Sequence, residues 1–357
     1  MNLGFSPKVY ILILNFNRGN DTVECLETIF KNNYTNYHVI VVDNNSQDSS
    51  VDCIREWAEG RRQVSLDAVP TSHINLITPF IKKPIPYILL NQKEALEEAG
   101  QTVLHYPLII IKSDSNLGFA GGNNLGIRFA LKEADARYIW ILNNDTIIEP
   151  DALDNLVKAF WLYKSEGKKV GIIGSKLLFY NQPNIIQGAG GKYDKWSAIG
   201  RHIGAFEKDK GQFDKDEVNM DFVLGASMFV EKEFISDVGL MCEDYFLYFE
   251  EIDWVIRGRR KGWGIGYCYE SNVFHKEGSS AGTSQRGERS LLSDYYGLRN
   301  RIIFTKKFYP YALWSVYSSF LIVFYNRIKR RQFGRLKLAW KALSNSLDRN
   351  FVDEYEF

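Results

Sequence analysis

KVYILILNFNRGNDTVECLETIFKNNYTNYHVIVVDNNSQDSS, residues 8–50, decides the fold class. Its two apolar runs, residues 8–14 and His38 to Val42, are of strand-forming type, and each stops at residues rich in Asn and Asp. Between them Val23, Leu26, Ile29 and Phe30 recur at helical spacing across Asn20 to Phe30. Strand, helix and strand with no polar face on either strand predict a β-α-β unit of buried parallel strands.

Outward from this unit the alternation continues. A helix is expected near Val51 to Glu59, then the strand PLIIIK (residues 107–112), a Gly-Asn loop, a helix over Leu125 to Lys132, and the strand RYIWIL ending before Asn143. Together these predict an α/β architecture with a mostly parallel, Rossmann-like central sheet flanked by helices and a ligand site beyond the carboxyl ends of the strands. Residues 61–106 interrupt the pattern with Pro70, Pro79, Pro84 and Pro86 and a short helical stretch near Lys93 to Ala99, and read as an insertion or lid-like excursion. From Lys169 the runs shorten and glycines multiply, as in VGIIGSKLLFY and GAGGKYD, which suits a mixed sheet with hairpins on the acceptor side.

With 357 residues, 45% hydrophobic and 24% charged, the chain can bury a substantial core. Its 44 basic and 43 acidic residues nearly cancel, which removes any global electrostatic argument for nucleic acid. Cys25, Cys53, Cys242 and Cys268 are widely spaced without a C-x-x-C pair and are expected to be reduced core residues. MNLGFSPKVY enters the first strand without a basic signal-peptide region, so the active part is expected to face the cytoplasm. Ala312 to Tyr325 is broken by Ser315, Ser318 and Ser319 and is shorter than the ~20 residues a spanning helix needs. Followed by RIKRRQFGRLK, it suits either a helix on an anionic membrane surface or an amphipathic helix packed on its own domain.

The candidate chemistry gathers at strand ends. WILNNDTIIEP (residues 140–150) delivers Asn143, Asn144 and Asp145 where a strand stops. A carboxylate there can hold a hard divalent cation, Mn2+ or Mg2+, against a diphosphate, although a turn with Asp145 or Thr146 as helix cap explains the same residues. Asp43, ending the second strand, could accept a hydrogen bond from a base or ribose, and an Asx turn or a cap by Ser46 or Asp48 is the structural alternative. NLGFAGGNNLGI (residues 116–127) offers glycines for close backbone approach to phosphate or sugar, but lacks G-x-G-x-x-G spacing after the first strand, which disfavours hydride chemistry. EDYFLYFEEIDWVIRGRRKGWG (residues 243–264) packs acids among aromatics. On a helix Glu250 and Asp253 share a face while Glu251 points about 100° away. Desolvation beside aromatic rings suits a general base, and ion pairing with Arg257 is the structural alternative. His275 ends an apolar strand before a Gly-Ser loop, whereas His38, His73, His105 and His202 have no comparable setting.

In chain order, LNFNR, VVDNNSQDSS, NLGFAGGNNLG, LNNDT, Gly225-Ala226-Ser227, YFEEIDWVIR and VFHKEGSS resemble the family 2 glycosyltransferases of the GT-A fold, particularly their bacterial rhamnosyltransferase-like branch. The resemblance covers roughly residues 8–305. It implies an inverting hexosyltransferase-type enzyme that uses a dTDP- or UDP-sugar donor, dTDP-rhamnose foremost, and a glycan or lipid-linked acceptor in cell-surface polysaccharide synthesis. By the same resemblance Asp43 contacts the donor base, and Asn15, Asn17, Asn45, Gly118, Phe119, Gly122, Asn123, Asn143 and Asn144 line the donor pocket. Asp145 and His275 hold the metal. Glu251 stands where the family usually has an aspartate base, with Glu250 and Asp253 as alternatives, and Asn143 replaces the first of two metal-motif aspartates. The expected organisation is a catalytic domain over residues 1–305, divided near 150 into nucleotide and acceptor halves, and a basic amphipathic helical tail over 306–357. A nucleotidyltransferase would need a basic Gly-rich loop after the first strand, where only Arg18 stands. A non-catalytic sugar-binding scaffold would have lost the metal aspartate or the base, and both are present.

Overall fold

The alternation read from residues 8–50 sets the centre of the sheet. In the computed structural model, which describes residues 6–97, 105–215, 217–276 and 290–344, the first half runs β1 (Lys8–Asn15), α1 (Gly19–Ile29), β2 (Tyr37–Asp43), α2 (Ser50–Ala58), α3 (Ile74–Ile77), β3 (Tyr87–Asn91), α4 (Gln92–Glu97), β4 (Leu108–Lys112), α5 (Gly118–Leu131) and β5 (Ala136–Asn143). The second half runs β6 (Thr146–Ile148), α6 (Ala152–Ser165), β7 (Val170–Phe179), β8 (Gln182–Gly188), β9 (Gly191–Asp194), β10 (Ile199–His202), β11 (Ser227–Glu231), α7 (Lys232–Val238), α8 (Glu250–Arg260), β12 (Gly264–His275), α9 (Leu291–Phe308), α10 (Leu313–Lys329) and α11 (Phe333–Leu343).

The main sheet has the order β3-β4-β2-β1-β5-β11-β7-β12-β6, with β8 beside β7, and β9 and β10 form a separate hairpin. From β3 to β5 every pairing is parallel, while β11 lies antiparallel to both neighbours. Side chains alternate across β1: Val9, Ile11 and Ile13 enter the core beneath α1, α2 and α6, and Tyr10 and Leu12 enter the one beneath α5, α7 and α8. The chain leaves β1 toward β2 on one side and returns as β5 on the other, so the strand ends Asn15 and Asn143 meet at a topological switch point.

The structure differs from the sequence reading in four places. Within residues 61–106, expected as an insertion or lid-like excursion, Tyr87–Asn91 belong to the sheet, since β3 pairs with β4 in register from Tyr87↔Leu108 to Asn91↔Lys112 and forms the sheet edge. The Gly-Asn segment is helix from Gly118, earlier than Leu125. A Cβ on Gly122 or Gly126 would lie 2.3 or 2.2 Å from the side chains of Leu14 or Leu12, so these glycines let α5 lie against β1 instead of cradling a ligand. α9 runs unbroken past residue 305 to Phe308. All four cysteines are free, yet Cys242 is only half-buried. Residues 277–289, where the Gly-Ser loop is expected, and 345–357 at the end of the expected tail lie outside the described residues.

Candidate active site

Apolar strands end where polar side chains can meet, and here they form a closed web. Asn15 Nδ2 donates to Asp43 Oδ1 at 2.7 Å and to Ser46 Oγ at 3.1 Å, while Asn15 Oδ1 accepts from Thr22 Oγ1 at 2.8 Å and from Asn144 Nδ2 at 3.3 Å. The second Asp43 oxygen accepts the Ser46 N–H at 3.1 Å. Asn17, left-handed at φ 52°, accepts from the Gln47 N–H at 2.8 Å, and Asn45 is left-handed at φ 62°. Asp43 and Asn15 are thus fully buried behind the site. Asn44, itself buried, borders the cleft in their place, donating to Asn116 Oδ1 at 2.9 Å and accepting from the Leu117 N–H. Gly122 packs on Leu14, and Asn123 donates back to the Phe119 carbonyl, so neither borders the open space.

That space is a cleft of about 830 Å³ whose wall includes Asn44, Gly118, Phe119, Asn143, Asn144 and Asp145 on one side. Glu250, Glu251 and His275 also border it, together with His202 and Arg301, which the sequence reading passed over. Arg301 is the one Lys or Arg lining the cleft among the described residues.

Asp145 and His275 are brought together by backbone pairing. His275 ends β12 opposite Thr146 of β6, and the Lys276 N–H donates to the Asp145 carbonyl at 3.0 Å. The pairing leaves Asp145 Oδ1 3.1 Å from His275 Nε2. On its other nitrogen His275 meets Gln187 Oε1 at 2.8 Å, an orienting contact typical of an imidazole that presents its far nitrogen to a ligand. Burial opposes ionisation of Asp145, but His275 beside it and Lys276 beyond hold its carboxyl below the ordinary value. Among the described residues no group of three or more His, Cys, Asp or Glu could hold a metal. One carboxylate and one oriented imidazole therefore fit a cation only as a shared ligand set, completed by phosphate oxygens and water.

The acids sit beyond an aromatic turn. Phe246, Tyr248 and Phe249 hold φ of 64°, 70° and 77°, a conformation costly for bulky side chains, immediately before α8. The turn is clamped by Asn300 of α9, fully buried, whose Nδ2 donates to the carbonyls of Tyr245, Leu247 and Tyr248 at 2.9, 2.8 and 3.2 Å. Its far side is fixed by the Phe119 N–H, which donates to the Phe246 carbonyl at 2.7 Å. A Cβ on Gly118 would lie 2.5 Å from that same oxygen, so glycine is required there for the turn to close on α5.

Released from the turn, the acids diverge. Asp253 is fully buried and accepts from Tyr245 Oη at 2.9 Å and from Arg257 Nε and Lys307 Nζ at 2.5 Å each. It is an anchor between α8 and α9, which removes it from the candidate bases. Glu250 is buried with Oε2 lacking a hydrogen-bond partner among the described residues; burial, then the charge of Glu251, pushes its carboxyl well above the ordinary range. Glu251 is half-buried, and desolvation pushes it up to about 7. The pair therefore contains one acid held neutral and one poised to exchange a proton near neutrality.

Comparisons with known proteins bear on this arrangement. Residues 10–70 match the family described as glycosyl transferase family 2, and residues 90–290 match glycosyltransferase like family 2. A curated relative, the low-salt glycan biosynthesis hexosyltransferase Agl10 of Haloferax volcanii, is 26% identical over 209 residues, 58% of this chain and 62% of the relative. The match thus spans less than two thirds of that protein. Among solved structures, GalNAc-T7 with UDP, GalNAc and Mn2+ has a TM-score of 0.51 at 13% identity, covering 83% of this chain and 48% of the other. The mannosyltransferase PcManGT from Pyrobaculum calidifontis, in complex with GDP-Man and Mn2+, gives 0.49 at 14%, covering 98% and 84%. The mostly parallel sheet flanked by helices is the GT-A fold.

Proposed function

We propose, from the premise that the chain belongs to the family 2 glycosyltransferases, that it is an inverting hexosyltransferase drawing on a nucleotide diphosphate sugar, dTDP-rhamnose or a UDP-sugar. The observation that carries the reading is the meeting of Asp145 and His275 with Glu250 and Glu251 around one cleft. The acceptor is a hydroxyl of a glycan or lipid-linked molecule in cell-surface polysaccharide synthesis, reached from the cytoplasmic side of the membrane.

Asn44, Gly118, Phe119, Asn143 and Asn144 form the donor wall, with Asn15, Asn17, Asp43 and Asn45 as the web that holds it in place. Glu251, ionised near neutral pH, takes the proton of the acceptor hydroxyl. The acceptor oxygen forms its bond to the anomeric carbon as the bond from that carbon to the diphosphate breaks, and the configuration inverts. Glu250 stays neutral beside it, so the two carboxyls do not compete for ionisation. Asp145 and His275 would hold a divalent cation, Mn2+ or Mg2+, which when bound neutralises charge on the departing diphosphate. No covalent intermediate on the protein is required.

A screen of nucleotide sugars for release of UDP or dTDP, with and without manganese, tests the reading. Release by the wild-type chain is expected to need the metal and to fall in Asp145→Ala. Undiminished turnover in that variant overturns the metal assignment, and absence of release from every donor overturns the activity.

A further inference from the structure

The C-terminal helices carry a surface that the cleft chemistry does not use. From Tyr295 to Leu347 the sequence contains eleven Lys and Arg and no Asp or Glu, in a chain whose total charge is only +1. Val316 and Phe320 of α10 are buried with Ile302 of α9 and Leu338 and Ala339 of α11 in a small core of their own. The opposite face of α10 should then be polar, as on a helix with one dry side. Instead Trp314, Tyr317, Leu321, Ile322, Tyr325 and Ile328 point outward, with Leu321 72% and Ile322 64% exposed.

Cations border this apolar face. Lys329, Arg330 and Arg331 at the turn into α11, and Lys337 within it, are exposed and enter no ion pair among the described residues. Phe333 and Trp340 are exposed on α11 as well. Aliphatic and aromatic side chains lying beside unpaired bases match the interfacial zone of an anionic bilayer, with rings at headgroup depth and cations on phosphates. No helix among the described residues is long and apolar enough to cross a membrane.

The face is continuous with the cleft. At the tip of the β9–β10 hairpin Trp196 meets Tyr311 and Trp314, with ring centroids 5.8 and 6.2 Å apart. Three positions on, Ile199 and Gly200 of the same hairpin line the cleft. We propose that the outer face of α10 and α11, with Trp196, docks on an anionic lipid surface and thereby sets the mouth of the cleft at that surface, so that the acceptor is an amphiphile anchored in the same bilayer. The acceptor half of this statement rests on the glycosyltransferase reading above, and the docking half does not.

Flotation with vesicles of phosphatidylcholine, with and without phosphatidylglycerol, reads the docking directly. Wild-type protein is expected to bind the anionic vesicles and to lose binding in high salt. Binding should fall at least tenfold in Leu321→Glu/Ile322→Glu and in Lys329→Glu/Arg330→Glu/Arg331→Glu, while nucleotide release from donor in water stays unchanged, which also reports folding. An acceptor glycoside with a long alkyl chain, added with vesicles, should lose turnover in both variants, and its short-chain counterpart should not. Failure of the wild type to bind either vesicle overturns the docking, as does equal binding by the variants. A dimer that the Leu321→Glu/Ile322→Glu variant breaks, without vesicle binding, assigns the face to a second copy of the chain and overturns it too. Vesicle binding with no donor turnover sinks the glycosyltransferase reading and leaves the docking standing.

Discussion

Two regions that border the cleft handle polar groups in opposite ways. At the ends of β1 and β2, Asp43 is buried but both its oxygens accept hydrogen bonds. At the aromatic turn, three bulky residues hold positive φ, Glu250 keeps one oxygen without a hydrogen-bond partner among the described residues, and both adjacent carboxyls are pushed upward by desolvation. A satisfied network makes a rigid floor, whereas strain and uncompensated burial are retained where chemistry uses them. On the proposed mechanism the first region supplies shape and the second proton transfer.

Replacing the base breaks that contrast most directly. Glu251→Gln should lower kcat by about 10²- to 10⁴-fold, the range for a positioned acid or base, with donor binding retained. The wild-type rate should rise about tenfold per pH unit up to about 7 and then level, because only the ionised carboxylate accepts a proton. The stability sign is opposite. A carboxyl whose folded-state value is raised binds more protons folded than unfolded between its ordinary value and about 7, so its contribution to stability is lost as pH rises through that window. Glu251→Gln should therefore be the more stable protein at pH 8 in urea unfolding. An unchanged pH profile in this variant would move the base to another residue.

The same contrast explains what was legible in the sequence. Asp145 and His275 stand at strand ends, which the apolar runs make legible, but only the family resemblance put residues 130 positions apart in one expected site. Asp253 could not be excluded, because helical spacing places it on the face of Glu250 and says nothing of Tyr245 and Lys307, which occupy it from other elements. The glycines of α5 looked like a ligand loop because a glycine run has the same appearance whether it approaches a phosphate or the side chains of Leu12 and Leu14. β3 was hidden among prolines, and as an edge strand it carries a short, half-buried run that periodicity does not separate from loop. Asn300 gave no signal at all, since its three acceptors are backbone carbonyls about fifty residues upstream.

That clamp offers a smaller and sharper test. Asn300→Ala should lower kcat about tenfold through a loosened turn, leave the donor KM within about twofold, and displace the pH profile of Glu251. A loss of stability with kinetics and profile intact would make Asn300 a packing residue only.

The smallest kinetic effect is expected from the other region. Asp43→Asn sets an amide against either the Asn15 side chain or the Ser46 N–H, both of which are donors, so one buried hydrogen bond is lost whichever way the new side chain turns. A buried group left in that state costs about 1–3 kcal/mol, visible as a lower urea midpoint. Because Asn44, not Asp43, borders the cleft, the folded variant should keep its kcat and its donor KM. A donor KM that rises selectively for one nucleotide base would instead mean that Asp43 comes out of the web to meet the donor, and the floor would then be part of the binding chemistry.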